Sequence, residues 1–162
     1  MNRGLMVDLD GTIRKSKSGK VTPNEPSDQE VLHGRYHHLH AYRGAGFKVI
    51  AITNQGGIGL GHTTDGQVKT TLAALNNDLG RVFHDMLYEG SAPKDNHPRR
   101  KPNPGMILEA AEKHNLDLKK SLMVGDLPSD KEAAEAAGVP FAWAKDFFGT
   151  KRHYAMGRLD GA

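Results

Sequence analysis

Val7-Asp8-Leu9-Asp10-Gly11-Thr12 is the stretch that decides the fold and points to the chemistry of this chain. It ends a short apolar segment, residues 5–7, which predicts a buried strand, and the chain then turns at Gly11. Ligands of α/β sheets bind beyond the carboxyl ends of the strands, so Asp8 and Asp10 lie where a site is expected. Two carboxylates this close repel each other unless a cation lies between them, and the pair therefore predicts Mg²⁺. A solvated acidic turn is the alternative interpretation, and three later motifs argue against it.

Length and composition restrict the class of protein. The 162 residues are 37% hydrophobic and 25% charged, which is typical of one soluble domain with a real core. We find no apolar run long enough to cross a bilayer and no room for a signal peptide before the first strand. The chain has no cysteine, so disulfides and thiolate metal sites are excluded. We expect a cytoplasmic monomer with no membrane association. The net charge of +3 permits a phosphorylated or nucleic-acid partner without requiring one.

Strands and helices alternate along the chain. Strands are predicted at residues 5–7, 47–52, 86–88, 121–124 and 139–143, the last at an edge because it contains Pro140. Helices are predicted at residues 28–42, 68–79 and 130–137. A further helix is predicted to begin with Asn103 as N-cap and Pro104 as first residue, with Ile107, Leu108 and Ala111 facing inward. The pattern predicts a doubly wound, Rossmann-like parallel sheet with helices on both faces over residues 1–149. Residues 150–162 predict a polar, loosely held C-terminal tail.

The residues that carry chemistry follow predicted strands or precede a helix. Thr53, Asn54 and Gln55 follow the second strand, Asp126 and Asp130 follow the strand at 121–124, and Lys101 comes just before a helix. In a doubly wound sheet these positions converge on one crevice. Such a crevice holds four carboxylates, a hydroxyl, an amide and a lysine. That set suits phosphoryl transfer, in which a metal ion and cationic donors neutralise charge on the phosphoryl oxygens.

Four motifs in this order resemble those of the haloacid-dehalogenase-like (HAD) phosphatases: residues 8–12, Thr53, Lys101 and residues 125–130. The sequences TNQGGIG (53–59), RKPNPGM (100–106) and MVGD (123–126) resemble more closely the group that contains heptose bisphosphate phosphatase and histidinol-phosphate phosphatase. The phosphatase domain of polynucleotide kinase/phosphatase is a further relative. The resemblance covers about residues 5–145 and implies a capless HAD fold with a short flap after the first strand.

The resemblance also implies roles for individual residues. Asp8 would attack phosphorus and form an aspartyl phosphate, and Asp10 would act as the general acid and then the general base. Mg²⁺ would be held by Asp8, by the backbone carbonyl of Asp10 and by Asp126. Thr53 and Lys101 would hold the phosphoryl oxygens.

Further residues complete the predicted site. Asp130 would orient Lys101 or a metal-bound water, although it equally fits the capping of a helix. The predicted substrate-binding residues are Asn54, Gln55, Arg14 and Arg100.

One segment departs from the pattern of the heptose bisphosphate group. Those relatives carry a zinc-binding loop of cysteines and a histidine before the lysine motif, whereas residues 89–98 contain no cysteine. His97 alone cannot make a tetrahedral site, so we expect no zinc and a more mobile loop. Because that loop helps to shape the substrate pocket in the family, the substrate stays open.

Three further features have two interpretations each. The histidines at 33, 37 and 40 fit a solvated helix side better than a metal site. The basic run of Arg14, Lys15, Lys17 and Lys20 is either a solvated hairpin or a surface that attracts a phosphorylated substrate. The glycines at 56, 57, 59 and 61 indicate backbone flexibility around the pocket rather than a nucleotide loop, because no phosphate-loop lysine follows them.

The sequence supports three functions. A Mg²⁺-dependent phosphomonoesterase for a small sugar-phosphate-like metabolite is the first, since no insertion is long enough for a cap domain. A polynucleotide 3′-phosphatase is the alternative, favoured by the basic run and by Lys94, Arg99 and Arg100, although these segments offer no aromatic ring to stack a base. An inactive phosphate-binding module is the third, and the intact Asp8/Asp10 pair argues against it.

Overall fold

Five parallel strands form the central sheet of the computed structural model, which describes residues 1–149. In chain order the strands are β1 (Gly4–Val7), β2 (Arg14–Ser16), β3 (Gln29–Val31), β4 (Lys48–Asn54), β5 (Asp85–Glu89), β6 (Leu122–Gly125) and β7 (Phe141–Trp143). The sheet order is β5-β4-β1-β6-β7, with β7 at the predicted edge. The remaining pair, β2 and β3, forms a separate antiparallel hairpin. The predicted C-terminal tail lies outside the described residues.

Helices cover both faces of the sheet, as predicted. They are α1 (Arg35–Gly44), α2 (Asp65–Asp78), α3 (Gly105–Lys113), α4 (Pro128–Ala137) and α5 (Ala144–Gly149). Side chains alternate between the two faces of a strand. On β1, Leu5 and Val7 therefore pack with α1, α2 and α5, whereas Met6 packs with α3 and α4. The doubly wound α/β architecture is confirmed. No helix within residues 1–149 combines the length and apolar character that crossing a bilayer requires.

The hairpin after β1 is the predicted flap, and it corrects one predicted helix. Residues 28–42 were expected to be helical throughout, but Gln29–Val31 is a strand paired with Arg14–Ser16, and α1 begins only at Arg35. Gly34 stands before α1 with a φ of 81°, a value that suits glycine. The helical spacing of apolar residues was overridden by pairing with a distant strand, which periodicity cannot reveal.

The start of α3 also differs from its predicted position. Pro104 is the N-cap and Gly105 the first residue, so Asn103 is not the cap. Met106, Ile107 and Ala110 are buried, whereas Leu108, expected to face inward, is 46% exposed. Three inward positions per two turns are enough to cover the sheet here, and Leu108 falls outside that stripe.

The histidine-rich stretch does not form one solvated face. His33 precedes α1 and, like His37, is exposed, whereas His38 is buried and its ring packs on those of Tyr42 and Phe147. His40 is half-buried, and its Nε2 lies 2.7 Å from the carbonyl oxygen of Leu79, after α2. The solvated interpretation therefore holds for His33 and His37 only.

Candidate active site

Lys101 lies at the centre of the polar residues that gather beyond the carboxyl ends of β1, β4 and β6. Its Nζ donates to Asp8 Oδ1 at 2.7 Å, to Asp130 Oδ1 at 2.6 Å and to the carbonyl oxygen of Ile52 at 2.8 Å. The side chain is only 3% exposed. Burial alone would lower its pKa, but the two carboxylates outweigh burial and raise the pKa of Lys101, which is therefore protonated.

Asn54 fixes the backbone of Lys101. Its Nδ2 donates to the Lys101 carbonyl oxygen at 3.0 Å, and its Oδ1 accepts from the Lys101 N–H at 3.0 Å. A residue at the end of β4 thus determines where a loop lysine 47 positions later stands. Both polar atoms of the Asn54 amide thus bond to the Lys101 backbone. The predicted contact of Asn54 with substrate stays a prediction.

Asp8, the predicted nucleophile, is buried beside a second acidic residue. Burial raises the pKa of Asp8 to about 6, Lys101 opposes this rise, and Asp126 adds to it. The hydroxyl of Thr12 lies between the two carboxylates, 3.3 Å from Asp8 Oδ2 and 3.4 Å from Asp126 Oδ1. Thr12 is fully buried and belongs to the first motif, yet sequence reasoning gave it no role.

Asp130 connects α4 to Lys101. One carboxylate oxygen pairs with Lys101, and the other accepts the backbone N–H groups of Asp126 and Leu127, each at 3.1 Å. Burial raises the pKa of Asp130, and the charge of Lys101 opposes that rise. Gly125 makes this arrangement possible, because a Cβ there would lie 2.4 Å from the Cβ of Asp130.

The acidic cluster fits a divalent cation. Asp8, Asp126 and Asp130 offer oxygens that all lie within 4.8 Å of one another. Oxygen donors are those that Mg²⁺ prefers. Asp130 accepts three hydrogen bonds, from Lys101 and from the N–H groups of Asp126 and Leu127, and its side chain is only 1% exposed, so Asp8 and Asp126 are the better placed ligands. The site has four carboxylates (Asp8, Asp10, Asp126, Asp130) and two cations (Lys101, Arg14), a net charge of −2 that one divalent ion neutralises.

Gly11 lets the first motif approach the acidic cluster. Its φ is 85°, and a Cβ at this position would lie 2.1 Å from Asp126 Oδ2. Any other residue would therefore displace the Asp126 carboxylate or distort the turn.

Asp10 stands apart from this cluster, with contacts of its own. Arg14 Nε donates to Asp10 Oδ1 at 2.9 Å, and Gln55 Nε2 donates to Asp10 Oδ2 at 3.3 Å. The Asp10 side chain is 19% exposed, whereas that of Arg14 is 1% exposed. Arg14 is therefore not part of a solvated hairpin, although Lys15, Lys17 and Lys20 are exposed as expected.

Thr53 and Gln55 contact each other at the end of β4. Gln55 Nε2 also donates to Thr53 Oγ1 at 2.9 Å, and both residues are buried. The hydroxyl predicted to hold phosphoryl oxygens is thereby linked to Asp10 through one amide.

The loop that departs from the family pattern is tied down by ion pairs. Arg99 donates to Glu89 at 3.0 Å and to Glu109 at 3.1 Å, while Arg100 donates to the carbonyl oxygen of Ser91 at 3.3 Å. Burial would raise the pKa of Glu89, but hydrogen bonds from Ser91 and Arg99 outweigh it and lower that pKa. The greater mobility of this loop and the lack of zinc stay predictions.

Gly59 is an exception to the interpretation of the glycines after Thr53 as flexible backbone. Its N–H donates to the Gly90 carbonyl oxygen at 2.8 Å, and a Cβ would lie 2.5 Å from the nitrogen of Ala92. Close packing of two loops, rather than flexibility, requires glycine there.

Sequence reasoning missed two further polar residues, Thr22 and Gln29. Both accept hydrogen bonds from Arg14, Gln29 through Oε1 at 3.0 Å and Thr22 through its hydroxyl at 3.3 Å. No sequence signal marks either one, because their contacts depend on how the flap folds back.

Comparison with known proteins finds similar phosphatases. A family model described as polynucleotide kinase 3 phosphatase matches residues 5–157. A D-glycero-alpha-D-manno-heptose-1,7-bisphosphate 7-phosphatase from Photorhabdus laumondii is 39% identical over 147 residues, covering 83% of this chain and 77% of the relative. A solved structure from Mesorhizobium loti, described as a HAD-like phosphatase, has a TM-score of 0.76 at 32% identity and covers 85% of this chain and 69% of its own.

A second solved structure extends the likeness of the fold. The D,D-heptose 1,7-bisphosphate phosphatase of B. bronchiseptica, complexed with magnesium and phosphate, has a TM-score of 0.74 at 23% identity. The match covers 87% of this chain and 78% of that chain.

Proposed function

Because the chain belongs to the polynucleotide kinase 3 phosphatase family of HAD-like phosphatases, we propose that it is a Mg²⁺-dependent phosphomonoesterase for a small sugar phosphate. The observation that carries the proposal is the contrast between the two aspartates of the first motif. Asp8 is buried beside Lys101 and Asp126, while Asp10 is partly exposed beside Arg14. Two carboxyl groups in such different environments suit different tasks in one reaction.

Asp8 is the nucleophile in this proposal. A carboxylate oxygen of Asp8 forms a bond to phosphorus while the bond from phosphorus to the ester oxygen breaks, giving an aspartyl phosphate. The ion pair with Lys101 at 2.7 Å fixes the Asp8 carboxylate before substrate arrives. Lys101 and Thr53 then hold the oxygens of the transferred group.

Asp10 handles protons in both steps. It gives a proton to the departing ester oxygen and then takes one from the water that attacks the aspartyl phosphate. The products are the alcohol, inorganic phosphate and the regenerated Asp8 carboxylate. Partial exposure of Asp10 supports this role, because both the leaving oxygen and water must reach it.

Asp8, Asp126 and the backbone carbonyl of Asp10 would hold Mg²⁺, with Asp130 acting through Lys101. When bound, the ion would offset the negative charge that Asp8 and the phosphate bring together. The oxygen-only donors and the net charge of the cluster support a hard divalent ion. We propose no zinc in the loop between β5 and α3, since it has no cysteine.

The relatives support a sugar phosphate as the substrate. The Photorhabdus relative is named for a heptose-1,7-bisphosphate and removes its 7-phosphate. Arg100, in the loop beside Gly56, is a candidate contact for the rest of such a substrate. Burial lowers the pKa of Arg100 from its usual value while leaving it cationic.

A polynucleotide 3′-phosphatase is the second candidate. The name of the matching family and the exposed flap lysines at 15, 17 and 20 favour it. The short flap leaves an open site, which would admit the end of a polymer as well as a metabolite.

A panel of substrates tests both candidates. Phosphate release would be measured from a heptose-1,7-bisphosphate, histidinol phosphate, other sugar phosphates and a 3′-phosphorylated oligonucleotide, with Mg²⁺ and with excess chelator. We expect the highest kcat/KM for a sugar phosphate and no turnover in chelator. A preference of more than about tenfold for the oligonucleotide would select the second candidate, and full turnover in chelator would contradict the metal-dependent mechanism.

A further inference from the structure

A closed ring of hydrogen bonds holds the carboxylate of Asp10. Arg14 Nε donates to Asp10 Oδ1 at 2.9 Å, and Arg14 Nη2 donates to the hydroxyl of Thr22 at 3.3 Å. That hydroxyl donates to Gln55 Oε1 at 3.3 Å, and Gln55 Nε2 donates to Asp10 Oδ2 at 3.3 Å, which closes the ring. The ring thus joins the flap, the end of β4 and both oxygens of one carboxylate.

Arg14 is also anchored outside the ring. Its Nη1 donates to Gln29 Oε1 at 3.0 Å, and Gln29 Nε2 donates to the carbonyl oxygen of Thr71, on α2, at 2.9 Å. Each of the three guanidinium nitrogens of Arg14 therefore has a protein acceptor, and the side chain is 1% exposed. The donors that face Asp10, Thr22 and Gln29 are therefore already occupied, and the side chain leaves almost no surface for a substrate phosphate.

The local backbone delivers Arg14 to this position. The carbonyl oxygen of Leu9 accepts the N–H groups of Thr12, Ile13 and Arg14 at 2.8–3.1 Å, and the N–H of Gly11 donates to the Arg14 carbonyl oxygen at 2.9 Å. This tight turn folds Arg14 back onto Asp10, four residues earlier. The pair is therefore fixed by the same turn that carries the first motif.

We infer that Arg14 is a positioning residue that, with Thr22 and Gln55, fixes the direction of the Asp10 carboxyl group, and is not a ligand of the substrate phosphate. The inference rests on the proposed acid/base role of Asp10. A general acid must lie within hydrogen-bond reach of the leaving oxygen, and a misplacement of about 1 Å costs on the order of 10²-fold in rate. Each Asp10 oxygen keeps a second lone pair, so the ring orients the group without blocking it.

The dependence of kcat/KM on the leaving group tests the inference. Aryl phosphates from p-nitrophenyl to p-methoxyphenyl phosphate place increasingly basic oxygens on the departing group, and basic oxygens need the general acid most. In Arg14→Met we expect kcat/KM to fall roughly tenfold or more for p-methoxyphenyl phosphate and less than about threefold for p-nitrophenyl phosphate. The inhibition constant of inorganic phosphate should stay within about twofold of that of the unmodified protein, because no phosphate contact is lost.

Two further variants keep the test decisive if Arg14→Met folds poorly. Thr22→Val opens the ring without removing a charge, and it should steepen the same dependence by a few-fold. Arg43→Met is the matched control, because Arg43 donates to the carbonyl oxygen of Val82, at the opposite end of the sheet. It should leave the dependence on the leaving group unchanged. Thermal unfolding of each variant measures how much protein is folded.

The outcomes separate this inference from the proposed function. A similar fall in kcat/KM for all esters, with weaker inhibition by phosphate, would identify Arg14 as a substrate ligand and overturn the inference. Asp10→Asn provides the reference, since it should steepen the dependence most. If only Asp10→Asn does so, and neither Arg14→Met nor Thr22→Val, this inference fails alone. If Asp10→Asn has no such effect, the acid/base role fails and the inference with it.

Discussion

Replacing Lys101 by methionine tests the ion pairs at the centre of the site. Methionine is nearly as long as lysine, so the change removes the charge and three hydrogen bonds while filling most of the space. Two carboxylates whose side chains are 9% and 1% exposed, those of Asp8 and Asp130, then lose their counter-charge. Removing one partner of a buried ion pair typically costs about 3–5 kcal/mol in the free energy of unfolding. We expect a loss of that size.

The chain offers a matched control for this substitution. Lys113 pairs with Asp85 at 2.8 Å, close to the 2.7 and 2.6 Å of the two Lys101 ion pairs, but its side chain is 57% exposed. Pairs exposed to water contribute about 0.2–1 kcal/mol, so Lys113→Met should cost at most about 1 kcal/mol. The two variants differ in burial and in the number of carboxylates that lose a partner, which is two for Lys101 and one for Lys113.

Urea unfolding at pH 7 in excess chelator measures both losses without help from a bound cation. Adding Asp130→Asn to Lys101→Met should recover about 1 kcal/mol or more, because it removes one of the two unpaired charges. The Asn oxygen still accepts the N–H groups that Asp130 caps. If Lys101→Met costs no more than Lys113→Met, or the double variant recovers nothing, the idea that buried charge pairing organises the site is wrong.

Four other predictions concern the turn, Mg²⁺, zinc and the flap. Gly11→Ala should abolish turnover of an aryl phosphate, because its Cβ would meet Asp126 at 2.1 Å, whereas Gly19→Ala, with the same φ of 85° and open space around it, should keep full turnover. Adding Mg²⁺ at about 100 times its Kd should raise the free energy of unfolding by about 2.7 kcal/mol, an effect that Asp126→Asn removes. Metal analysis of the purified protein should find no stoichiometric zinc. If the substrate is a polynucleotide, alanine at Lys15, Lys17 and Lys20 should flatten the dependence of its KM on salt and leave aryl phosphate turnover intact. An unchanged dependence on salt would exclude the flap as a contact.

Local sequence signals predicted the sheet and the place of the site. Apolar runs that end in polar residues mark β1, β4 and β6, and parallel strands bring those ends to one edge. The sequence alone therefore predicts that Asp8, Thr53 and Asp126 converge. Gly11 further indicated a turn, although its close approach to Asp126 follows only from the folded structure.

Contacts between distant parts of the chain were not predictable. The spacing of Val31, Leu32 and Leu39 fits a helix, yet Gln29–Val31 pairs as a strand with β2, and the helix begins only at Arg35. Arg14 stands in a basic run that suggests solvent exposure. Its burial depends on Asp10 and Gln29, which the folded hairpin brings to it.

Rapid quench with labelled p-nitrophenyl phosphate tests the central claim most directly, the division of labour between Asp8 and Asp10. Asp8→Asn removes the nucleophile, so no label should remain on the protein. Asp10→Asn keeps the nucleophile, and this good leaving group needs little protonation. Loss of the general base, which typically costs about 10²–10⁴-fold, should then trap the aspartyl phosphate. We expect acid-stable, hydroxylamine-sensitive label on Asp10→Asn alone. Label on Asp8→Asn and none on Asp10→Asn would contradict the account, because the two roles would be reversed.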